Sequence, residues 1–191
     1  VFTSDDINEY SADVYALYLS SFPLREKLDV RVELVGPPPA FGEIGGCYQI
    51  QFRIGVLHYR TYANLANESV TIVLPIAGFS RNQKGQGRFV GRGQSIVLAP
   101  HASVCVLEEP PGDVALLGSE SHLFPGSDIA AWSWDGPDGV VFSRDARARG
   151  TGNILFRVGS DKNGLRVNGK FTPTTSYLGR EHVVVVPAEQ G

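Results

Sequence analysis

The sequence predicts an all-β chain of two facing layers, a small barrel or a double-sheet jelly roll, with one N-terminal helix and a second β lobe. Three observations predict it. Apolar, β-branched-rich runs of roughly four to eight residues recur along the chain, the length of antiparallel strands. Gly (22) and Pro (12) punctuate the 191 residues, as many short strands require. Only one segment, near the start, has helical spacing.

The densest β signal is the stretch Val70 to Leu107. Val70, Ile72, Leu74 and Ile76 alternate with Thr71 and Val73. Ser95 to Leu98 and Val104 to Leu107 form two further runs. A polar connection rich in Gly, Asn, Gln and Arg separates the first run from the second, and a Pro100-His101-Ala102-Ser103 corner separates the second from the third. Pro100 cannot donate to a ladder, so one strand ends there and the chain turns.

Composition excludes several classes. Hydrophobic content is 42% and charged content 19%, the balance of an ordered chain able to bury a core. A net charge of −3 without a basic tract argues against direct nucleic-acid contact. No apolar run approaches the roughly 20 residues that span a bilayer. The chain lacks a starting Met and a signal peptide, so a processed, trimmed or excised product is expected. Cys47 and Cys105 each sit in an apolar run, which favours two buried thiols of a cytoplasmic protein over one disulfide. Asn67-Glu68-Ser69 is a glycosylation sequon, a triplet common by chance that matters only in a secreted protein.

In chain order, Thr3 and Ser4 precede Asp5 and Asp6, a capped helix start. Ile7, Tyr10, Val14, Leu17 and Tyr18 then form one apolar stripe to about Leu19. Leu28, Val30, Val32 and Leu34 alternate with Asp29, Arg31 and Glu33, the pattern of a half-buried strand. Gly36 to Pro39 is a stiff connection. Cys47 to Val56 carries Tyr48, Ile50, Phe52 and Ile54 on one face, and a strand through His58, Tyr59 and Tyr62 follows. Beyond the acidic turn at Glu108 to Asp113, strands are expected at Val114–Leu117, Ile129–Trp134, Val140–Phe142, Asn153–Val158, Leu165–Val167, Lys170–Thr172 and Val183–Val186. Asn168-Gly169 supplies the positive φ of a two-residue hairpin turn. The segment ending Val183-Val-Val-Val-Pro187 echoes the one ending Ile96-Val-Leu-Ala-Pro100, which raises the alternative of an internal duplication. The division expected is residues 1–118, helix plus first β unit, and residues 119–191, second β lobe, or one continuous domain.

Catalytic signals are weak. There is no Gly-x-Ser-x-Gly elbow, and Cys105 lies within an apolar strand where a thiol is inert. Glu108 and Glu109 fall in a Pro-rich turn and read as solvated. Of the four His, only His58 and His101, with Glu108, form a metal set to test; a corner His bonding nearby backbone is favoured instead. Gly85-Gln86-Gly87 with Lys84, Arg88 and Arg92 lacks the strand-to-helix context of an anion loop and reads as a hairpin. Trp132 and Trp134 face one side of a strand, either as a stacking platform or, the favoured reading, as core filling.

Gly93-Gln-Ser-Ile-Val-Leu-Ala-Pro-His101 resembles the second motif of cupin barrels. Leu74-Pro-Ile-Ala-Gly78, the polar hairpin, Gly91-Arg-Gly-Gln94, Val97 to Pro100 and Val104 are similar, in order, to the cupin-like sensing domain at the N-terminus of AraC-type transcription regulators. The resemblance covers roughly Phe2 to Leu117, and no helix-turn-helix follows it. It implies a cupin-like barrel and a small-molecule-sensing and dimerisation module, non-catalytic and without a cofactor. A small apolar or aromatic ligand would lie between the sheets against Phe52, Ile54, Ile72, Leu74 and Leu98. His101 and Tyr59 are its expected polar handles, and Trp132 and Trp134 a further contact surface. The expected partner besides the ligand is a second copy of the chain, and the expected compartment is the cytoplasm. Two alternatives stay open: a structural jelly-roll protein, such as a capsid or spike domain, and a cupin-fold enzyme.

Overall fold

The computed structural model describes residues 31–36, 45–54, 57–82, 86–120, 126, 129–144 and 152–187. The expected N-terminal helix and the Pro37 to Pro39 connection lie outside the described residues. Every regular element within them is a strand. The first six are β1 (Arg31–Val35), β2 (Cys47–Ile54), β3 (Leu57–Asn64), β4 (Val70–Val73), β5 (Gly78–Asn82) and β6 (Gly87–Val90). Then come β7 (Ser95–Leu98), β8 (Ser103–Glu108), β9 (Val114–Ser119), β10 (Ile129–Trp134) and β11 (Gly139–Arg144). The last four are β12 (Ile154–Val158), β13 (Gly164–Val167), β14 (Lys170–Tyr177) and β15 (Arg180–Val186).

They form three curled layers. The middle one has the order β1-β2-β3-β8-β5-β6; a second sheet has β10-β11-β13-β14-β15-β12-β9; β4 and β7 make a two-stranded ribbon. Alternation along β3 and β8 explains how one sheet serves two cores. Tyr62, Val104 and Val106 point to the ribbon and pack with Ile72, Leu74, Ile96 and Leu98. Their neighbours Tyr59, Cys105 and Leu107 point the other way and pack with Leu116, Phe156 and Val184 of the second sheet. A third cluster, Phe79, Leu117, Leu155 and Val183, extends that inter-sheet core. Each such fully buried Leu or Phe contributes roughly 1.5–3 kcal/mol by leaving water.

The Val70 to Leu107 stretch holds its three expected strands, but they do not share a sheet. β4 pairs β7 antiparallel, whereas β8 pairs β3 and β5. The corner at His101, whose φ is 57°, carries the chain from ribbon to middle sheet. Asn64, fully buried, holds this corner: its Nδ2 donates to the carbonyls of Leu98 (3.2 Å), Ala99 (2.9 Å) and Glu68 (2.8 Å), and its Oδ1 accepts from Ala66 N–H.

Other expectations are corrected in detail. The strand read as half-buried, Leu28 to Val35, is described from Arg31 as an edge strand, with Val32 61% and Leu34 39% exposed. The hairpin at Asn168-Gly169 forms as expected, with φ of 47° and 80°. β14 runs five residues beyond its expected end at Thr172 and passes through Pro173. Pro173 is tolerated because it sits where the strand changes partner: residues up to Pro173 pair β13, and Thr174 onward pairs β15. The echo between the central and terminal segments stops at strand order, since β7 crosses to the ribbon while β15 folds back on β14. Residue 118 lies inside β9, which pairs β12 as an edge of the second sheet.

Two residues should carry stability out of proportion to their size. A Cβ on Gly78 would lie 2.0 Å from the Leu107 carbonyl oxygen, because β5 and β8 run in close register there. Gly78→Ala is expected to lower the unfolding free energy by about 3 kcal/mol, whereas Gly91→Ala, which meets nothing within 4 Å, should stay within about 1 kcal/mol of the parent. Asn64→Ala should cost about 2–3 kcal/mol by orphaning the corner carbonyls. Urea unfolding of the three variants checks all three outcomes.

Candidate functional site

Among the described residues, two concavities flank the ribbon. The first is a chamber of about 360 Å³ between β7 and the β5, β6 and β8 part of the middle sheet. Its wall includes Ile96, Leu98 and Val104, with Ser80, Arg88 and Ser103 as polar groups. The turn Gly91 to Gln94 joins β6 to β7 outside its lining: Gly93 takes a φ of 80°, Gly91 N–H donates to Gln94 Oε1 at 2.9 Å, and Gly93 N–H donates to the Leu74 carbonyl at 2.7 Å. These bonds swing the chain out of β6 and into β7, so that the two strands border an opening instead of pairing.

The second is a wider cleft of about 720 Å³ at the opposite end of β8. Arg60, Arg92 and Arg157 line it with Glu108 and Glu109, between Pro75-Ile76-Ala77 and Pro110-Pro111. The acidic pair is not solvated as expected. Arg60 Nε donates to Glu108 Oε1 at 2.5 Å, and Arg180 Nη2 donates to Glu109 Oε1 at 2.6 Å. Arg157 forms a further ion pair with Glu109 through Nε and donates from Nη2 to the Gly112 carbonyl at 2.6 Å. The Glu109 side chain is only 13% exposed and joins the middle sheet to β12 and β15. Arg180 also lies over the Phe89 ring, 5.2 Å from its centre. Partners 48 and 71 residues away in sequence leave no local signal of this cluster.

The residues expected to line one ligand space are divided between faces. Ile72, Leu74 and Leu98 belong to the ribbon core, and of the eight whose side chains are described Leu98 alone borders the chamber. Phe52 and Tyr59 stack at 5.0 Å on the far side of the middle sheet, with Trp132 packed against that core. Tyr59 is 1% exposed and serves as packing there, away from the chamber. Ile54 ends β2, and its side chain lies outside the described residues. Trp132 and Trp134 share a side of β10 as expected and meet edge to face at 5.3 Å; Trp134 remains half exposed. His101 is on the surface, its Nε2 3.1 Å from Asn67 Oδ1, a side-chain partner in place of the backbone one expected. His58, His101 and Glu108 do not converge: among the described residues no three His, Cys, Asp or Glu side chains form a group that could hold a metal.

Both cysteines are free and buried. Burial pushes the Cys105 thiol from 9.0 up to about 12, with the Thr61 hydroxyl opposing part of that rise, and burial also raises Cys47. The native state therefore holds its Cys105 proton more tightly than the unfolded chain does. That contribution to stability is complete below pH 9.0 and is lost as pH rises toward 12. At pH 8 neither thiol should react measurably with a disulfide reagent in native buffer, and both should react on adding denaturant; fast native labelling of Cys105 would contradict the burial described. No helix among the described residues is long and apolar enough to cross a membrane. No family model, no curated protein and no solved structure matches this chain.

Proposed function

We propose that the chain is a non-catalytic small-molecule-binding and dimerisation module of the cupin-like sensing kind that precedes the DNA-binding part of AraC-type regulators. The jelly-roll reading of the fold and the N-terminal helix belong to this proposal. The observation that carries it is the chamber between ribbon and middle sheet. Its 360 Å³ lies within the range of small-ligand sites, and an apolar floor of Ile96, Leu98 and Val104 faces a few polar groups. A small aromatic or acyl ligand fits that balance, with Ser103 and Arg88 taking the polar role first given to His101 and Tyr59. For the dimer, the support is edge strand β1, short and carrying exposed Val32 and Leu34. Two buried free thiols agree with a reducing compartment such as the cytoplasm.

A second reading, a structural assembly protein, draws on the outer face of the ribbon, where Val73 and Val97 are both exposed. Isothermal titration with neutral aromatic alcohols and short acyl amides tests the first reading. At least one class is expected to bind, and Ala102→Leu, which fills the chamber from its rim, should weaken it by about tenfold or more. Absence of binding by both classes, together with closed higher-order assemblies on size exclusion, would replace it with the second.

A further inference from the structure

We propose that the arginine-lined cleft is a separate binding site for a small organic anion, a carboxylate or phosphate monoester on an apolar body. It shares no lining residue with the chamber. Three guanidinium groups line it against two carboxylates, and Arg180 adds a fourth cation at Glu109. Pairing accounts for both carboxylates but not for all the donors. Arg157 and Arg180 converge on Glu109, and Arg60 uses Nε on Glu108, which leaves its two terminal amino groups without a partner among the described residues. Arg92 has no side-chain partner among them either, although it stands in the tightly bonded Gly91 to Gln94 turn. A guanidinium presents a fork of donors that matches a carboxylate or phosphate two bonds at a time, and Arg60 and Arg92 have such forks to offer.

The walls set the rest of the ligand. Pro75, Ile76 and Ala77 on one side and Pro110 and Pro111 on the other are apolar and stiff. Glu109 N–H donates to the Ala77 carbonyl at 3.0 Å, tying the two walls together. A bare inorganic anion would leave those walls wetted, whereas an aromatic or short acyl body would cover them. The cleft is built by β3, the β4–β5 connection, the β6–β7 turn, the end of β8 and β12, so an anion in it bridges the middle and second sheets.

The test uses the full chain and four probes in isothermal titration: phenyl phosphate, phenylacetate, inorganic phosphate and neutral benzyl alcohol. One or both aromatic anions are expected to bind, with inorganic phosphate about tenfold weaker or more. Arg92→Gln, a surface-turn change, should weaken the aromatic anions about tenfold while leaving the unliganded melting temperature in place, and Ala102→Leu should leave them unaffected. Raising the salt should weaken binding without abolishing it. The proposal is overturned if neither aromatic anion binds at millimolar concentration, if benzyl alcohol competes for the same site, or if Arg92→Gln binds as the parent does. Loss of anion binding in Ala102→Leu would assign it to the chamber and overturn the separate site.

Discussion

Burial of both faces of strand β8 is the constraint that the rest of the molecule obeys. A sheet with one wet face needs apolar side chains at every second position only. β8 has core on each side, so Val104, Cys105, Val106 and Leu107 are all apolar and all buried. Two cores then share one backbone layer. Displacing β8 would expose Val104 and Val106 from the ribbon core and Cys105 and Leu107 from the inter-sheet core together. This is why the close approach at Gly78 and the corner at Asn64 matter: each fixes β8 in register, one at its end and one at its start.

Charge is concentrated where the layers meet. The end of β8 leaves the core as Glu108-Glu109, and each carboxylate goes to arginines from strands distant in sequence. Partly buried ion pairs of this kind add less net stability than their number suggests, because desolvation offsets attraction. What they supply here is orientation: two guanidinium groups held on one carboxylate lock β12 and β15 against the end of β8. The same clustering leaves an excess of positive charge in an open cleft with apolar walls. The chamber at the other end of the ribbon differs in charge: Arg88 is the one charged residue of its lining, beside polar Ser80, Gln86 and Ser103 and apolar Ile96, Leu98 and Val104. Ribbon and middle sheet thus enclose two spaces of different character with a packed core between them, where Leu74 and Val106 are sealed from solvent.

Much of the strand inventory was legible because strand formation is local. The alternation in Val70 to Val73, the Asn168-Gly169 turn and the runs at Ile129 to Trp134 and Val183 to Val186 all became strands or turns where their residues demanded. Trp132 and Trp134 fell on one side, as a period of two requires. The surroundings of the residues expected to line one ligand space were not legible in the same way. Phe52 and Leu98 look alike in a sequence, since each is an inward apolar residue of a strand. Which inside each one faces depends on the partner sheet, and a chain with two cores offers two answers.

The amino-acid order by itself determined that this protein is β-rich, where most strands lie, and that its thiols sit among apolar neighbours. Those properties arise from side chains within a few residues of one another. Tertiary structure alone decided that β7 and β8 part company at His101, that Glu109 is held by two arginines, and that the open spaces lie at the ends of the ribbon. Each of these depends on residues brought together from 30 or more positions apart, and pairing at that range is settled by which buried surfaces fit, not by local pattern.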